Sequence, residues 1–270
     1  MIHSVPEAAV TTPCLTILGQ PDPRLRRHVL TYSGFTTATP IPHRLLPINV
    51  PALVIDVTGA CRVATGVSAA PTVGGPSRWG HGVTIGLTPG SMSALLGLPL
   101  VEITGRTVPL ADVLGPGEAD LAEQLAGLDW PGRFALLDRW LAGRLTPDEA
   151  DPLLTAAWWR LQHGPGRARV DAVATALGTS RRRLEVAFRR SVGVSPGTVA
   201  RVARFQRAAS RLLTGTPAAR VAADTGYADQ PHLTRDVRSL AGLTPTALRD
   251  LLPAHGIRSS GRRLLADSGR

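Results

Sequence analysis

Residues 170–196 read VDAVATALGTSRRRLEVAFRRSVGVSP, and residues 219–245 read ARVAADTGYADQPHLTRDVRSLAGLTP. Set 49 residues apart, the two stretches share a pattern. Ala174 falls on Ala223, Ser180 on Asp229, Leu184 on Leu233 and Phe188 on Val237. Arg189 then falls on Arg238, Gly193 on Gly242, Ser195 on Thr244 and Pro196 on Pro245, with no insertion needed. Each shared position has a physical task.

In the first stretch Val170, Val173, Ala174 and Leu177 place one apolar face on a short helix over 170–177. Gly178 ends it as a left-handed residue. Ser180 caps a second helix over 181–192, where Leu184 and Phe188 lie four residues apart and pack inward. Arg181, Arg182, Arg183, Glu185, Arg189 and Arg190 are left for the outer faces, and Gly193 with Pro196 stops the helix. In the second stretch Pro217 takes the first helical position after Thr216, and Val221 and Ala222 face inward. Gly226 makes the turn and Asp229 caps a helix to about residue 240, with Leu233 and Val237 inside. Val237 is smaller than Phe188, so the second core is expected to be less filled. Two helices joined by a tight glycine turn, the second one basic outside, make a helix-turn-helix, and here two stand in tandem. Between them, residues 198–213 read as a helix about 24 Å long, able to hold the motifs in successive major grooves.

Charge follows the same division. Residues 1–164 hold 11 Arg against 13 acidic residues, and residues 165–270 hold 19 Arg against 7, so the net charge of +10 belongs to the C-terminal part. A basic unit beside a near-neutral one points to a polyanionic partner. All 30 basic residues are Arg, a bias typical of a GC-rich genome, so placement carries more weight than abundance.

The C-terminal region, about 153–252, resembles the AraC/XylS regulators. The matching segments are Val173-Ala174, Leu177-Gly178-Thr179-Ser180, Leu184, Phe188, Gly193-Val194-Ser195-Pro196, Arg204 and Leu212-Leu213. They continue with Ala222-Ala223, Gly226-Tyr227-Ala228-Asp229, Leu233, Gly242-Leu243-Thr244-Pro245 and Arg249. The departures are Val237, where the family usually has Phe, and Val186, where a polar reader is common. The resemblance implies a bacterial transcription factor that binds double-stranded promoter DNA and works with RNA polymerase, as a monomer or homodimer, without a cofactor.

Base contacts are expected from outward residues near the start of each second helix: Arg182, Glu185, Gln230, His232 and Arg235. Arg182 suits guanine, Glu185 a cytosine amino group, and Val186 a thymine methyl. Ser180, Arg189, Arg204 and Arg238 are the expected phosphate contacts, which position without reading.

The N-terminal half alternates strand-like pieces, clearest at 53–57 and 83–87, with a small polar stretch over 66–82 that reads as loop. Helical patterns follow at 91–96, 117–125 and 130–144, the last with Phe134, Leu137, Leu141 and Leu145 on one face. The fold class is therefore α+β: a β-rich N-terminal domain with following helices, then an all-α domain with two helix-turn-helix motifs on a linker helix. The division is 1–148, 149–252 and a basic tail, 253–270. Gly86-Leu87-Thr88-Pro89-Gly90, Leu95-Leu96-Gly97-Leu98-Pro99, Val108-Pro109-Leu110 and Asp112-Val113-Leu114 resemble an N-terminal domain carried by some AraC/XylS members. That resemblance implies small-molecule sensing or dimerisation.

Other classes are disfavoured. Cys14 and Cys61 are too few for a disulfide framework, and neither a secretory signal nor about 18 consecutive apolar residues appears, so a cytoplasmic, nucleoid-associated protein is expected. The alternative is a thiol- or metal-based sensor or enzyme targeted to DNA, through Cys14, Cys61, His43 and His81. These residues lack the close paired spacing of zinc sites. No nucleophile–base set, P-loop or dinucleotide motif is present, so no enzyme is expected.

Overall fold

In the computed structural model, residues 2–8, 14–73, 78–145, 151–164, 169–251 and 257–259 are described. Seven strands come from the first 109 residues: β1 (Ser4–Pro6), β2 (Leu15–Gly19), β3 (Val29–Leu45), β4 (Ala52–Asp56), β5 (Arg62–Thr65), β6 (Arg78–Leu87) and β7 (Thr107–Pro109). They form one sheet in the order β7-β5-β4-β6-β3-β2, with β1 on β3 and all pairs antiparallel. A further strand, β8 (Ile257–Ser259), comes from the stretch read as a tail and pairs parallel to β2. The rest of that stretch lies outside the described residues.

Central β4 is buried at every position, its polar end included. The Asp56 carboxylate is satisfied there by the backbone N–H groups of Thr58 at 2.8 Å, Gly80 at 2.7 Å and His81 at 3.1 Å. Gly80 belongs to β6, so the stretch read as loop is strand from Arg78 onward. Gly80 and Gly82 lower the strand signal, but the missing side chain of Gly82 is what the sheet requires. A Cβ on Gly82 would collide with the Ile55 backbone oxygen, so only glycine lets β6 lie this close to β4.

Helices α1 (Pro89–Leu96), α2 (Leu110–Leu114), α3 (Gly117–Ala126), α4 (Trp130–Ala142) and α5 (Pro152–His163) follow. Thr88, Asp129 and Asp151 cap α1, α4 and α5 through their side-chain oxygens, each with a proline in the first turn. Helix α4 lies on the sheet through Phe134, Leu137 and Leu141. Trp130 fits where Gly34 has no side chain, and the Tyr32 hydroxyl donates to Asp138 at 2.8 Å.

The C-terminal unit is helical: α6 (Val170–Ala176), α7 (Arg181–Ser191), α8 (Pro196–Leu213), α9 (Ala218–Thr225), α10 (Gln230–Ala241) and α11 (Pro245–Asp250). Its two motifs belong to different cores. Leu184, Phe188, Val192 and Val199 join one continuous cluster with Trp158 and Leu161 of α5, Met92 of α1, and Leu53, Ile55 and Ile85 of the sheet. Val202, Phe205, Leu212, Val221, Leu233, Val237 and Leu248 form a second cluster, to which Val5 and Leu46 also belong.

His3 leads into β1 and stacks on Trp79 with ring centroids 5.4 Å apart, sharing a hydrogen bond with Thr65 Oγ1 at 2.9 Å. Burial lowers its pKa from 6.5 to about 4. Between these values the unfolded chain binds a proton that the folded chain refuses, so stability present above pH 6.5 is lost as the pH falls toward 4. At about 1.4 kcal/mol per pKa unit, the loss is up to about 3 kcal/mol. His81, lowered by burial and then by Arg133, adds to the same slope. Urea denaturation at pH 4.5 and 7.5 should therefore show a smaller pH difference for His3→Gln than for the wild type; equal differences would remove His3 from the acid response.

Candidate nucleic-acid interface

The local sequence builds α7 as anticipated. Ser180 Oγ accepts from Arg183 N at 3.2 Å, and Leu184 and Phe188 are fully buried. Arg181, Arg182 and Arg183 are all exposed, and the first turn holds no acidic residue. The start of a helix carries partial positive charge, so each cation there costs about 0.3–1 kcal/mol rather than stabilising. Arg181 is offset by Asp171 at 3.5 Å and Glu185 at 3.6 Å. Stability alone does not favour three arginines in this place; a bound anion would. Val186 stands one turn beyond Arg182 and is 59% exposed, an apolar side chain on a cationic face.

Helix α10 has the same plan with other residues. Asp229 accepts from His232 N at 2.6 Å, Leu233 and Val237 are buried, and Gln230, Arg235 and Arg238 are exposed. Where α7 has Arg182, Val186 and Arg189, α10 has Pro231, Arg235 and Arg238. The outermost arginine is thus displaced one turn along the second helix.

The repeat itself needs one correction. Buried Val173 and Ala174 correspond to buried Val221 and Ala222, which lie 48 residues on, while Ala223 is exposed. Both turns close with the same hydrogen bond, Thr179 N to Ala174 O and Tyr227 N to Ala222 O, each at 3.0 Å, around left-handed Gly178 and Gly226. The offset becomes 49 only after the turn, so Ala228 is an inserted residue. Runs of alanine on both sides of the turn hide the shift. Pro217 is likewise at the N-cap of α9, not at its first helical position.

Tyr227 uses the altered turn. Its ring is buried, and its hydroxyl donates to Asp236 Oδ2 at 2.9 Å. Asp236, 5% exposed, also receives Arg201 Nε at 2.6 Å, and Arg204 Nη2 lies 3.6 Å away with its guanidinium over the Tyr227 ring at 4.7 Å. Burial, then the Asp236 charge, pushes the Tyr227 pKa up. This network ties α10 to α8. Arg204, expected at a phosphate, has a side chain only 20% exposed and engaged in this network. No spacing rule in the sequence links Arg201 and Arg204 to Asp236, more than 30 residues away.

The other expected residues are less uniform. Glu185 is held between Arg181 and Arg189, at 3.6 and 3.9 Å. The His232 ring stands edge-on to Tyr227 and accepts from Ala228 N at 3.4 Å. For the sensor alternative, Cys14 and Cys61 are both buried, and burial raises both thiol pKa values, that of Cys61 to about 12. Among the described residues no three His, Cys, Asp or Glu side chains gather as a metal-binding group. None of the described helices is long and apolar enough to cross a membrane.

A helix-turn-helix domain family matches residues 173–250. No curated protein matches the chain. Among solved structures, the chain is similar to a Chromobacterium violaceum transcriptional regulator described by its AraC-type DNA-binding domain, with 27% identity over 36% of this chain and 89% of that one, TM-score 0.35. It is similar to the C-terminal domain of AraT, a response regulator from Geobacillus stearothermophilus, with 22% identity over 38% and 87%, TM-score 0.36. ToxT from Vibrio cholerae aligns over 92% of this chain and 97% of its own, with 12% identity and TM-score 0.46.

The Tyr227 network sets a test. Tyr227→Phe keeps the ring under Arg204 but removes one donor from a buried carboxylate, at a cost of about 1–3 kcal/mol. Urea denaturation should show a midpoint lowered accordingly, and an unchanged midpoint would mean that Asp236 is satisfied without the hydroxyl.

Proposed function

We propose that this chain, a DNA-binding transcription regulator whose residues 173–250 are an AraC-type helix-turn-helix domain, reads promoter DNA with α7 and α10 in successive major grooves. The first turn of α7 carries the reading. It sets three exposed arginines against the positive end of a helix, an arrangement costly in the free protein and favourable beside phosphates and guanine edges. Arg182 and Arg235 are the principal base readers, with Glu185, Gln230 and His232 in supporting contacts and Val186 against a thymine methyl. Arg189 and Arg238, at matched places in the two helices, hold phosphates, as does Ser180 at the start of α7. Arg204 braces the second motif instead.

The N-terminal half, residues 1–148, modulates this binding through a small molecule or through dimerisation, and RNA polymerase is the partner that turns occupancy into transcription. A cleft of about 640 Å³ between the halves supports the small-molecule reading. Ser93, Leu98 and Val101 line it from one side, and Leu154, Trp158 and Arg190 from the other.

Selection of binding sites from random DNA should enrich one bipartite motif with half-sites about one helical turn apart. Arg182→Ala or Arg235→Ala should then cost about 1–3 kcal/mol on the selected site and relax one base preference each. Equal weakening on every sequence would turn both residues into phosphate contacts, and failure to enrich any motif would leave a non-specific, architectural binder.

A further inference from the structure

The last carbonyls of a helix have no partner within it and must find donors elsewhere. Recognition helices α7 and α10 find theirs in the N-terminal half, at repeat-equivalent positions. Thr104 Oγ1 donates to Val192 O at 2.7 Å, and Arg44 Nη1 donates to Ala241 O at 3.1 Å. Val192 and Ala241 are 49 residues apart, the offset that holds throughout this part of the repeat. The glycine after each is approached by the same donor. A Cβ on Gly193 would lie 2.8 Å from Thr104 Cβ, and one on Gly242 would lie 3.1 Å from Arg44 Nη1. Both glycines have positive φ, 81° and 67°, which disfavours a side chain at either, and at Gly193 a Cβ would also collide with Thr104.

The two donors stand on different elements of the N-terminal half. Arg44 is near the end of β3, whereas Thr104 follows the 3-10 turn Leu100–Ile103. The linker helix between the motifs is held from the same side. Asn49 Nδ2 donates to Val199 O at 2.7 Å and to Gln162 Oε1 at 2.8 Å. Gln206 Nε2 donates to Pro47 O at 2.7 Å and to Ile2 O at 3.0 Å, and Gln206 Oε1 accepts from Ile2 N at 2.9 Å. Asn49 and Gln206 are almost fully buried, so these bonds have little competition from water.

We propose that Thr104 and Arg44 are positioning residues that fix the separation and phase of the two recognition helices, so that the N-terminal half selects the half-site spacing the protein accepts. One added base pair moves a half-site by about 3.4 Å and rotates it by about 35°, which two rigidly held helices cannot follow. Neither residue touches DNA in this scheme. The inference rests on the DNA-binding reading above.

The test uses the full chain. Binding sites are selected with wild type, Thr104→Val/Arg44→Gln and Thr104→Ser/Arg44→Lys, and affinities are measured on the selected site with its spacing changed by one base pair either way. Wild type should prefer its own spacing at least about tenfold. The Val/Gln variant, which removes the hydroxyl and leaves the second donor on a side chain too short to reach Ala241 O, should prefer it less than about threefold with unchanged half-site sequences. The Ser/Lys variant, which keeps both donors at their reach, should behave as wild type. A merely structural role would lower the melting temperature and weaken binding at all spacings alike. If the double variant does not fold, the single variants Thr104→Val and Arg44→Gln carry the same measurement. Unchanged spacing preference in folded variants overturns the proposal. If wild type itself enriches no bipartite motif, the DNA-binding reading falls first and the proposal falls with it.

Discussion

Helix α8 belongs to two hydrophobic cores at once, and the arrangement of the molecule depends on that. Val199, one turn into the helix, is buried with the first motif, α5 and the sheet, while Val202, Phe205 and Leu212 are buried with the second motif. A helix of 18 residues spans about 27 Å, so it sets the two motifs apart as a stiff rod rather than a tether. Its polar positions serve the same end. Gln206 is tied to the start of the chain, and Arg201 and Arg204 reach Asp236 of α10.

The two motifs solve one packing problem differently. The first uses Phe188 and shares its core with the N-terminal half. The second has Val237 in the equivalent place and relies on Tyr227, Asp236 and two arginines. A buried carboxylate with several donors is expensive to desolvate and strict about geometry, so it orients α10 more than it stabilises it. Three arginines crowd the exposed start of α7, whereas Arg201 and Arg204, beside α10, are committed to Asp236. The first motif therefore presents the denser set of exposed cations.

Much of this architecture was legible because the signals are local. Ser180, Asp229 and Ser195 cap helices through their own side chains, and Gly178, Gly193, Gly226 and Gly242 have the positive φ that ends them. A run rich in β-branched residues located β4, and the Phe134, Leu137, Leu141 face located α4. What stayed hidden depends on distant partners. Gly80 and Gly82 weaken β6 in the sequence, yet β4 requires them. Ala228 passes unnoticed among alanines until burial shows which ones face inward. Arg204 looks like any exposed helical arginine until Asp236 and Tyr227 are seen beneath it. Thr104 and Arg44 carry no sequence signature, because a helix end receives their hydrogen bonds from far along the chain.

The continuity of the first core bears on how such a protein can be taken apart. Trp158 and Leu161 sit on α5, at the start of the DNA-binding unit, and are buried in the same cluster as the sheet residues Leu53 and Ile85. Cutting the chain just before α5 would uncover apolar surface on both fragments, so neither would be a finished module. Grafting this helix-turn-helix pair onto a foreign N-terminal half would require rebuilding that seam, and exchange between relatives is simplest when the seam travels with the graft.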